Sequence, residues 1–382
     1  MQTPIIYLDN AATSFPKPKC VLEKTCSALF SPLGNPGRSG HEPGRKSAEE
    51  IFRARENIAR LLGLSASERV VFTGGATTSL NLAILGAVES IQKQKRTPFV
   101  VTSVFEHNSV LRPLFLLERK GQIRLRIVSP LENGFFSEND LFYPVPDILV
   151  LTLKSNVTGR TFPIKAISRA LSPYGTLIIG DGAQAVGGAG ATFDESGVHI
   201  LCAPGHKGLF GIMGAGFMAF SENCPLLPAP MITGGSGTDS FNREMPENLP
   251  ERLEAGTLPV PAIISMGSGA EYLNAVGVEN VTRREKEVKR YLVKGIRRLS
   301  KFTLYEPYFE TGPILINHKG KHSEETASAL AEKGICVRGG FHCAPLAHRF
   351  LGTEETGGVR LSPGPFTTKE ELDRTLEVLE SI

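Results

Sequence analysis

Two short apolar runs, each ending beside a chemically reactive residue, constrain this chain most. Residues 175–180 read Gly-Thr-Leu-Ile-Ile-Gly and deliver Asp181. Residues 198–203 read Val-His-Ile-Leu-Cys-Ala and lead to His206 and Lys207. Runs of this length and composition are expected of strands buried on both faces in a parallel sheet. Open α/β sheets place their ligands at the carboxyl ends of such strands. Residues 70–73, 98–103, 147–153 and 215–220 read as further strands. Helical patterns at 20–30, 46–62, about 77–87, from 108 onward and 164–171 alternate with them. That alternation predicts an α/β fold with a mostly parallel sheet and right-handed crossovers.

The residues that follow these runs carry the candidate chemistry. Gly74-Gly-Ala-Thr-Thr-Ser79 joins a strand to a helix. The free amides and positive dipole end of that helix, with the Thr77 hydroxyl, suit an anion, and a plain tight turn is the alternative. No Gly-Lys-Ser/Thr follows and the G-x-G-x-x-G order is absent, which excludes a P-loop and a dinucleotide fingerprint. Glu106-His107-Asn108 opens a helix, where an imidazole either stacks on a flat ring or serves as a cap. Lys154-Ser-Asn-Val-Thr-Gly159 puts Asn156 at another strand end. An acid at one strand end and a lysine at the next is what pyridoxal phosphate requires. The amine holds the aldehyde, and the carboxylate keeps the pyridine nitrogen protonated. A capping Asp and a solvated Lys are the other reading of the pair.

With 382 residues the chain is too long for one compact core. The expected division is a large domain over 16–260 and a smaller α+β domain built from 1–15 and 261–382. In the latter, helices are expected at 262–276, as a hinge, and at 279–299. A small sheet is expected from 302–304, 314–316 and 335–337, with a helix at 324–333. A last helix is expected after Thr367-Thr-Lys-Glu370, a capping-box pattern. Residues 34–44, with Asn35, Arg38, Ser39 and His41, read as a polar loop. Residues 224–257 read as a flap or inter-subunit arm. A net charge of +3, from 42 basic and 39 acidic residues, argues against a nucleic-acid or membrane partner. No stretch is long and apolar enough to span a bilayer. The amino terminus lacks the basic start and apolar core of a signal peptide. Six unevenly spaced cysteines, with no C-x-x-C pair or zinc spacing, point to reduced thiols in a cytoplasmic protein and to no metal site.

Taken together, these residues resemble the fold-type I pyridoxal phosphate enzymes over nearly the whole chain. More narrowly they resemble the class V aminotransferase branch that holds the cysteine desulfurases and selenocysteine lyases. The resemblance implies a large domain with a mostly parallel seven-stranded sheet. It also implies that Lys207, in Gly-His-Lys, carries the cofactor. Asp181 and Gln184, in Asp-Gly-Ala-Gln, match the partners of the pyridine nitrogen and the phenolic oxygen. His107 matches the histidine stacked on the ring. Ala76, Thr77 and His206 match phosphate contacts. Asn156 matches a residue near the ring oxygen and the substrate, and Asn10 joins it in the substrate set. Gly256 and Thr257 match a phosphate contact from a neighbouring subunit, which implies a homodimer. Arg360, in Val-Arg-Leu-Ser, matches the arginine that grips the substrate carboxylate, a task suited to a guanidinium fork.

Within Arg338-Gly-Gly-Phe-His-Cys-Ala-Pro345, Cys343 falls where desulfurases carry their nucleophile. The resemblance implies L-cysteine, or L-selenocysteine, as substrate and a persulfide on Cys343. Thiolate, not thiol, is the nucleophile, and His342 and Arg338 are expected to favour it. Cys20, Cys26, Cys202, Cys224 and Cys336 are expected to be buried structural thiols. The chain departs from the family pattern at Ala203-Pro204, where a small hydroxyl residue is usual, and at Phe341, where a His is usual. It has no long insertion around the cysteine. It therefore resembles the short-loop group, which passes sulfur to a dedicated acceptor protein. A class V transaminase or related lyase with an incidental Cys343 is the remaining enzymatic reading.

Overall fold

The computed structural model describes residues 5–37, 40–132, 134–238 and 240–382. Residues 1–4 of the amino terminus, and Arg38 and Ser39 of the polar loop, lie outside them. In chain order, the elements begin with β1 (Ile6–Tyr7), α1 (Lys19–Phe30), α2 (Glu42–Leu62) and β2 (Val70–Thr73). Next come α3 (Ala76–Gln92), β3 (Phe99–Ser103), α4 (Asn108–Arg119), β4 (Arg124–Val128), α5 (Glu138–Phe142) and β5 (Ile148–Thr152). They continue through α6 (Ile164–Leu171), β6 (Leu177–Asp181), α7 (Phe193–Ser196), β7 (Ile200–Pro204) and β8 (Gly216–Phe220). Among the described residues, no helix or strand forms between Phe220 and Val260. The carboxyl-terminal part holds α8 (Val260–Val276), α9 (Val278–Ile296), β9 (Phe302–Tyr305), β10 (Ile314–His318) and α10 (Ser323–Glu332). It ends with β11 (Ile335–Cys336), α11 (Pro345–Phe350), β12 (Val359–Leu361) and α12 (Lys369–Ser381).

The central sheet has the order β2-β8-β7-β6-β5-β3-β4. It is parallel except for β8, which runs antiparallel to β2 and β7. Side chains of a strand alternate between its two faces, and the two cores record this. Phe72, Val101, Leu149, Ile178, Leu201 and Phe217 face a core shared with α1, α2, α6 and α8. Their neighbours Val71, Val100, Ile148, Ile179, Ile200 and Met218 face a core shared with α3 and α4. The α/β expectation holds. The helix read as a hinge, α8, packs Ile263 and Met266 into the first of these cores. A third core gathers Leu8, Leu292, Ile316, Leu330, Leu361 and Leu379 around the small sheet.

Four local expectations change. First, α2 starts at Glu42 rather than 46, because His41 caps it by accepting the Gly44 N–H at 3.2 Å. Pro43 sits in its first turn, where a missing N–H costs nothing. Second, α3 runs on to Gln92 through Gly86, which stays glycine because the 228–229 backbone crosses it. A side-chain carbon there would meet the Ala229 carbonyl oxygen at 2.5 Å. Third, the small sheet is ordered β12-β10-β9, and β11 leaves it to pair in parallel with β1. Fourth, the capping box of α12 is Thr368 with Glu371, one residue later than expected.

One close approach links the sheet to the site. A side-chain carbon at Gly216 would stand 2.6 Å from Gly75 Cα and 2.8 Å from the Ala203 carbonyl oxygen. Both obstacles are backbone, so neither yields cheaply. Gly216→Ala is expected to cost about 1–3 kcal/mol, read as a lower urea midpoint at unchanged slope.

Candidate active site

The carboxyl ends of the parallel strands, the turn at Ala11–Ala12 and the segment from Arg338 to His342 enclose a cavity of about 360 Å³. It is lined by Ala76, Thr77, His107, Asn156, Asp181, Gln184, His206, Lys207 and Arg360, nine of the residues singled out in the sequence.

Asp181 is the last residue of β6 and is buried. Burial raises its pKa, opposed by the Ala183 N–H donating to Oδ1 at 2.9 Å and by the charge of Lys207. Lys207 lies three residues beyond the end of β7, the strand next to β6. Burial pulls its amine down to about 8, the Asp181 charge opposes this, and Arg360 and Arg338 add to it. A lysine brought close to its neutral form is ready to act as a nucleophile or base.

At the start of α3, Gly75 is the N-cap and makes no side-chain hydrogen bond, which leaves the amides of the first turn free. His206 Nδ1 is buried with no partner among the described residues, while its carbonyl accepts from Thr13 Oγ1 and the Ser14 N–H. His107 serves as the cap and also borders the cavity. Its Nδ1 caps α4 by accepting the Ser109 N–H at 3.0 Å, and its ring lines the cavity. Burial, followed by the Lys207 charge, lowers its pKa to about 4, so the ring is neutral at pH 7. Gln184 donates to the Ala11 carbonyl at 2.8 Å, tying the amino-terminal turn to the cavity wall.

Arg360 lies on β12 and is 1% exposed. Its Nη2 binds Asp9 Oδ1 at 2.8 Å and its Nη1 the Asn156 carbonyl at 3.1 Å, leaving Nε without a partner among the described residues. Asp9 is thus a site residue that the sequence reading did not assign. Asn156 donates to the His342 carbonyl at 2.8 Å. Four candidates are not among the residues lining this cavity: Cys343, described below, and Asn10, Gly256 and Thr257. Asn10 spends its side chain on the Ser362 carbonyl and the Phe15 N–H, and borders a smaller cavity of about 80 Å³. Gly256 and Thr257 are exposed, and Gly256 borders a separate cavity with Asn35 and Arg55.

Cys343 is exposed. Its carbonyl accepts the Asn108 N–H at 2.7 Å, which fixes its backbone beside His107. His342 and Cys343 both have left-handed backbone, with φ of 52° and 55°, at roughly 1–2 kcal/mol each. The expected support from His342 is corrected here. Burial pushes its pKa down to about 2, so it carries no charge for a thiolate at pH 7. Its ring turns to the Arg338 carbonyl and to His348 instead. The cation at the sulfur is Arg338, whose Nη2 lies 3.9 Å from Cys343 Sγ. The expectation for the other thiols also changes. Cys202 is buried, but Cys20 and Cys26 are exposed, and Cys224 and Cys336 are half-buried. Among the described residues, no His/Cys/Asp/Glu group fits a metal ion, and no helix is long and apolar enough to cross a membrane.

Glu106 went unassigned in the sequence. It is fully buried behind Asp181, and its Oε1 accepts from Ser103 Oγ at 2.7 Å and the Thr152 N–H at 3.0 Å. Its Oε2 has no partner among the described residues. Burial raises its pKa to about 8, so it holds its proton at neutral pH. A carboxyl with a raised folded pKa stabilises the fold below its unfolded value, and that contribution is lost as pH rises to about 8. Glu106→Gln mimics the protonated acid at every pH. Its stability relative to the native chain is expected to climb between pH about 4.5 and 8 in urea titrations at a series of pH values.

The profile of the aminotransferase class-V family matches residues 6–375. A probable cysteine desulfurase of Aeropyrum pernix is 31% identical over 396 residues, covering 99% of this chain and 94% of that protein. A probable cysteine desulfurase of Methanothermobacter thermautotrophicus is 28% identical, covering 99% of this chain and 94% of that protein. The apo structure of a cysteine desulfurase from Thermococcus onnurineus superposes with a TM-score of 0.88. It is 26% identical and covers 99% of this chain and 94% of that one. With this match across the site and both flanking cores, the chain belongs to the class-V aminotransferase family.

Proposed function

We propose that this chain is a pyridoxal phosphate-dependent cysteine desulfurase, converting L-cysteine to L-alanine and taking the sulfur onto Cys343. The observation that carries the proposal is the anchoring of Cys343. Its carbonyl is bound to the Asn108 amide, next to His107, and the preceding residue, His342, lines the cavity that holds Lys207 and Asp181. The resemblance of the motifs and the relatives named above support the same reading.

The residues present fit the cofactor. The uncapped first turn of α3 and the unpartnered His206 Nδ1 offer donors for its phosphate. Asp181 and Lys207, both on this cavity, would hold the pyridine nitrogen and the aldehyde carbon respectively. The neutral face of His107 suits the ring. When bound, the cofactor would supply the electron sink that makes the substrate α-proton acidic.

The chain's own groups do the rest. Lys207 Nζ, with its lowered pKa, takes and returns the proton at the substrate α-carbon. Arg360 presents Nε towards the substrate carboxylate, held by Asp9 and Asn156. Cys343, as a thiolate beside Arg338, attacks the substrate's sulfur. A sulfur–sulfur bond forms as the carbon–sulfur bond breaks, and the electron pair stays with the carbon skeleton. That skeleton takes up a proton at its β-carbon and leaves as alanine. The exposure of Cys343 leaves the persulfide open to an acceptor thiol, which removes the outer sulfur. A second copy of the chain bringing its Gly256 and Thr257 to the phosphate end accounts for their distance from the cavity of their own subunit.

Purified protein is expected to release equal amounts of alanine and sulfide from L-cysteine in the presence of a reductant. Cys343→Ala should abolish this while leaving the visible absorbance of the bound cofactor unchanged. Full activity of that variant on cysteine would overturn the nucleophile assignment. Loss on cysteine with activity retained on selenocysteine would favour a selenocysteine lyase.

A further inference from the structure

The backbone at Cys343 sits in an unfavourable conformation, and the question is what holds it there. Five contacts converge on the segment 338–343, one of them the Ser323 hydroxyl oxygen accepting the Gly340 N–H at 3.3 Å. Arg338 pairs with Arg360 of β12, and the Gly340 carbonyl accepts the Gly358 N–H at 3.0 Å. The His342 carbonyl accepts Asn156 Nδ2, and the Cys343 carbonyl accepts the Asn108 N–H. All five grip the backbone. One side chain adds to them from inside, and it is His342. Its ring is 2% exposed and bonds to the Arg338 carbonyl and to His348.

A chain of hydrogen bonds starts at that ring. His342 Nε2 lies 3.1 Å from the Arg338 carbonyl oxygen, His342 Nδ1 lies 3.1 Å from His348 Nε2, and His348 Nδ1 lies 2.8 Å from Thr353 Oγ1. The two rings differ by only 24° in orientation. A carbonyl can only accept, so the direction of every bond follows. His342 Nε2–H donates to Arg338, and His342 Nδ1 therefore accepts. His348 Nε2–H supplies that proton, so His348 Nδ1 accepts in turn from the Thr353 hydroxyl. That hydroxyl has a second, longer contact with the His348 carbonyl at 3.2 Å. His348 is fully buried and Thr353 nearly so. A buried network with every member satisfied gives a unique geometry.

We propose that His348, oriented by Thr353, is a positioning residue for the sulfur-transfer step. Through His342 it clamps the left-handed turn that carries Cys343. The proposal rests on the reading of Cys343 as the sulfur acceptor. His348 touches neither substrate nor cofactor: it does not line the cavity, and it meets the Cys343 segment through the rings of His342 and Phe341.

Replacing His348 by Leu removes the N–H that His342 Nδ1 needs. Replacing it by Gln returns an N–H near the position of His348 Nε2. Two readouts on the holoenzyme separate positioning from general structural support: kcat and KM for alanine formation from L-cysteine, and amide hydrogen exchange of residues 338–344. His348→Leu is expected to lower kcat about ten- to a hundredfold, the usual penalty for a reacting atom displaced by about 1 Å. KM and cofactor content should stay near the native values, and residues 338–344 should exchange faster. His348→Gln should restore both. Thr353→Val, which deletes only the hydroxyl, should give a smaller change in the same direction and serves if the Leu variant does not fold. Native kcat and native exchange in the Leu and Val variants would overturn the proposal. A Gln variant no better than Leu would do the same. If Cys343→Ala kept full activity while the exchange pattern followed these expectations, the clamp would stand and the role of Cys343 would fall.

Discussion

The burial of one acid and one amine at the ends of adjacent parallel strands is the constraint on which this structure turns. Asp181 ends β6, and Lys207 follows β7. Water would stabilise both charges, and the sheet and the cap of the amino-terminal turn withhold it. Desolvation moves each group toward neutrality, and their mutual attraction holds each partly back. The register of β6 on β7 therefore sets the chemistry as much as the side chains do. A slip of one residue would turn Asp181 to the opposite face of the sheet.

The rest of the site is assembled across the two ends of the chain. Asp9 follows β1, Arg360 lies on β12, and their ion pair spans 351 residues of sequence. A buried pair of this kind is weak evidence for stability, and its use here is orientation. Asp9 and the Asn156 carbonyl fix the guanidinium plane, with Nε buried and without a partner among the described residues. The same small sheet carries the Cys343 segment, through Arg338 on Arg360. Arg360 and the Cys343 segment thus hang from one strand, β12, and the third core holds that strand in place through Val359 and Leu361.

Much of this was legible in the sequence where burial is complete on both faces. The runs that became β2, β5, β6, β7 and β8 are continuous apolar stretches, and their ends marked Thr77, Asn156, Asp181 and Lys207 correctly as neighbours of one cavity. Legibility failed where an element is decided by tertiary contact. The edge strand β4 carries Arg124 and Arg126, which lie over the ring of Phe99 in the next strand, so its polar residues hide it. The strands β1 and β11, two residues each, exist only because they pair with each other. The charge state of His342 was misread for a similar reason. Next to a cysteine in sequence it looks like a cation for the thiolate, but the left-handed turn sends its ring into the interior. Glu106 was invisible as a buried acid because nothing local announces that its carboxyl will be sealed behind the sheet.

The central claim is that Lys207 is the amine that receives the cofactor, with Asp181 across the same cavity. Reduction of the pyridoxal phosphate-loaded protein with borohydride, followed by peptide mass mapping, tests it most directly. The account predicts a single stable pyridoxyl adduct on Lys207, absent from Lys207→Ala, and loss of the visible band on reduction. An adduct on another lysine, such as Lys154 on the same cavity wall, or a protein that binds no cofactor at all, would contradict it.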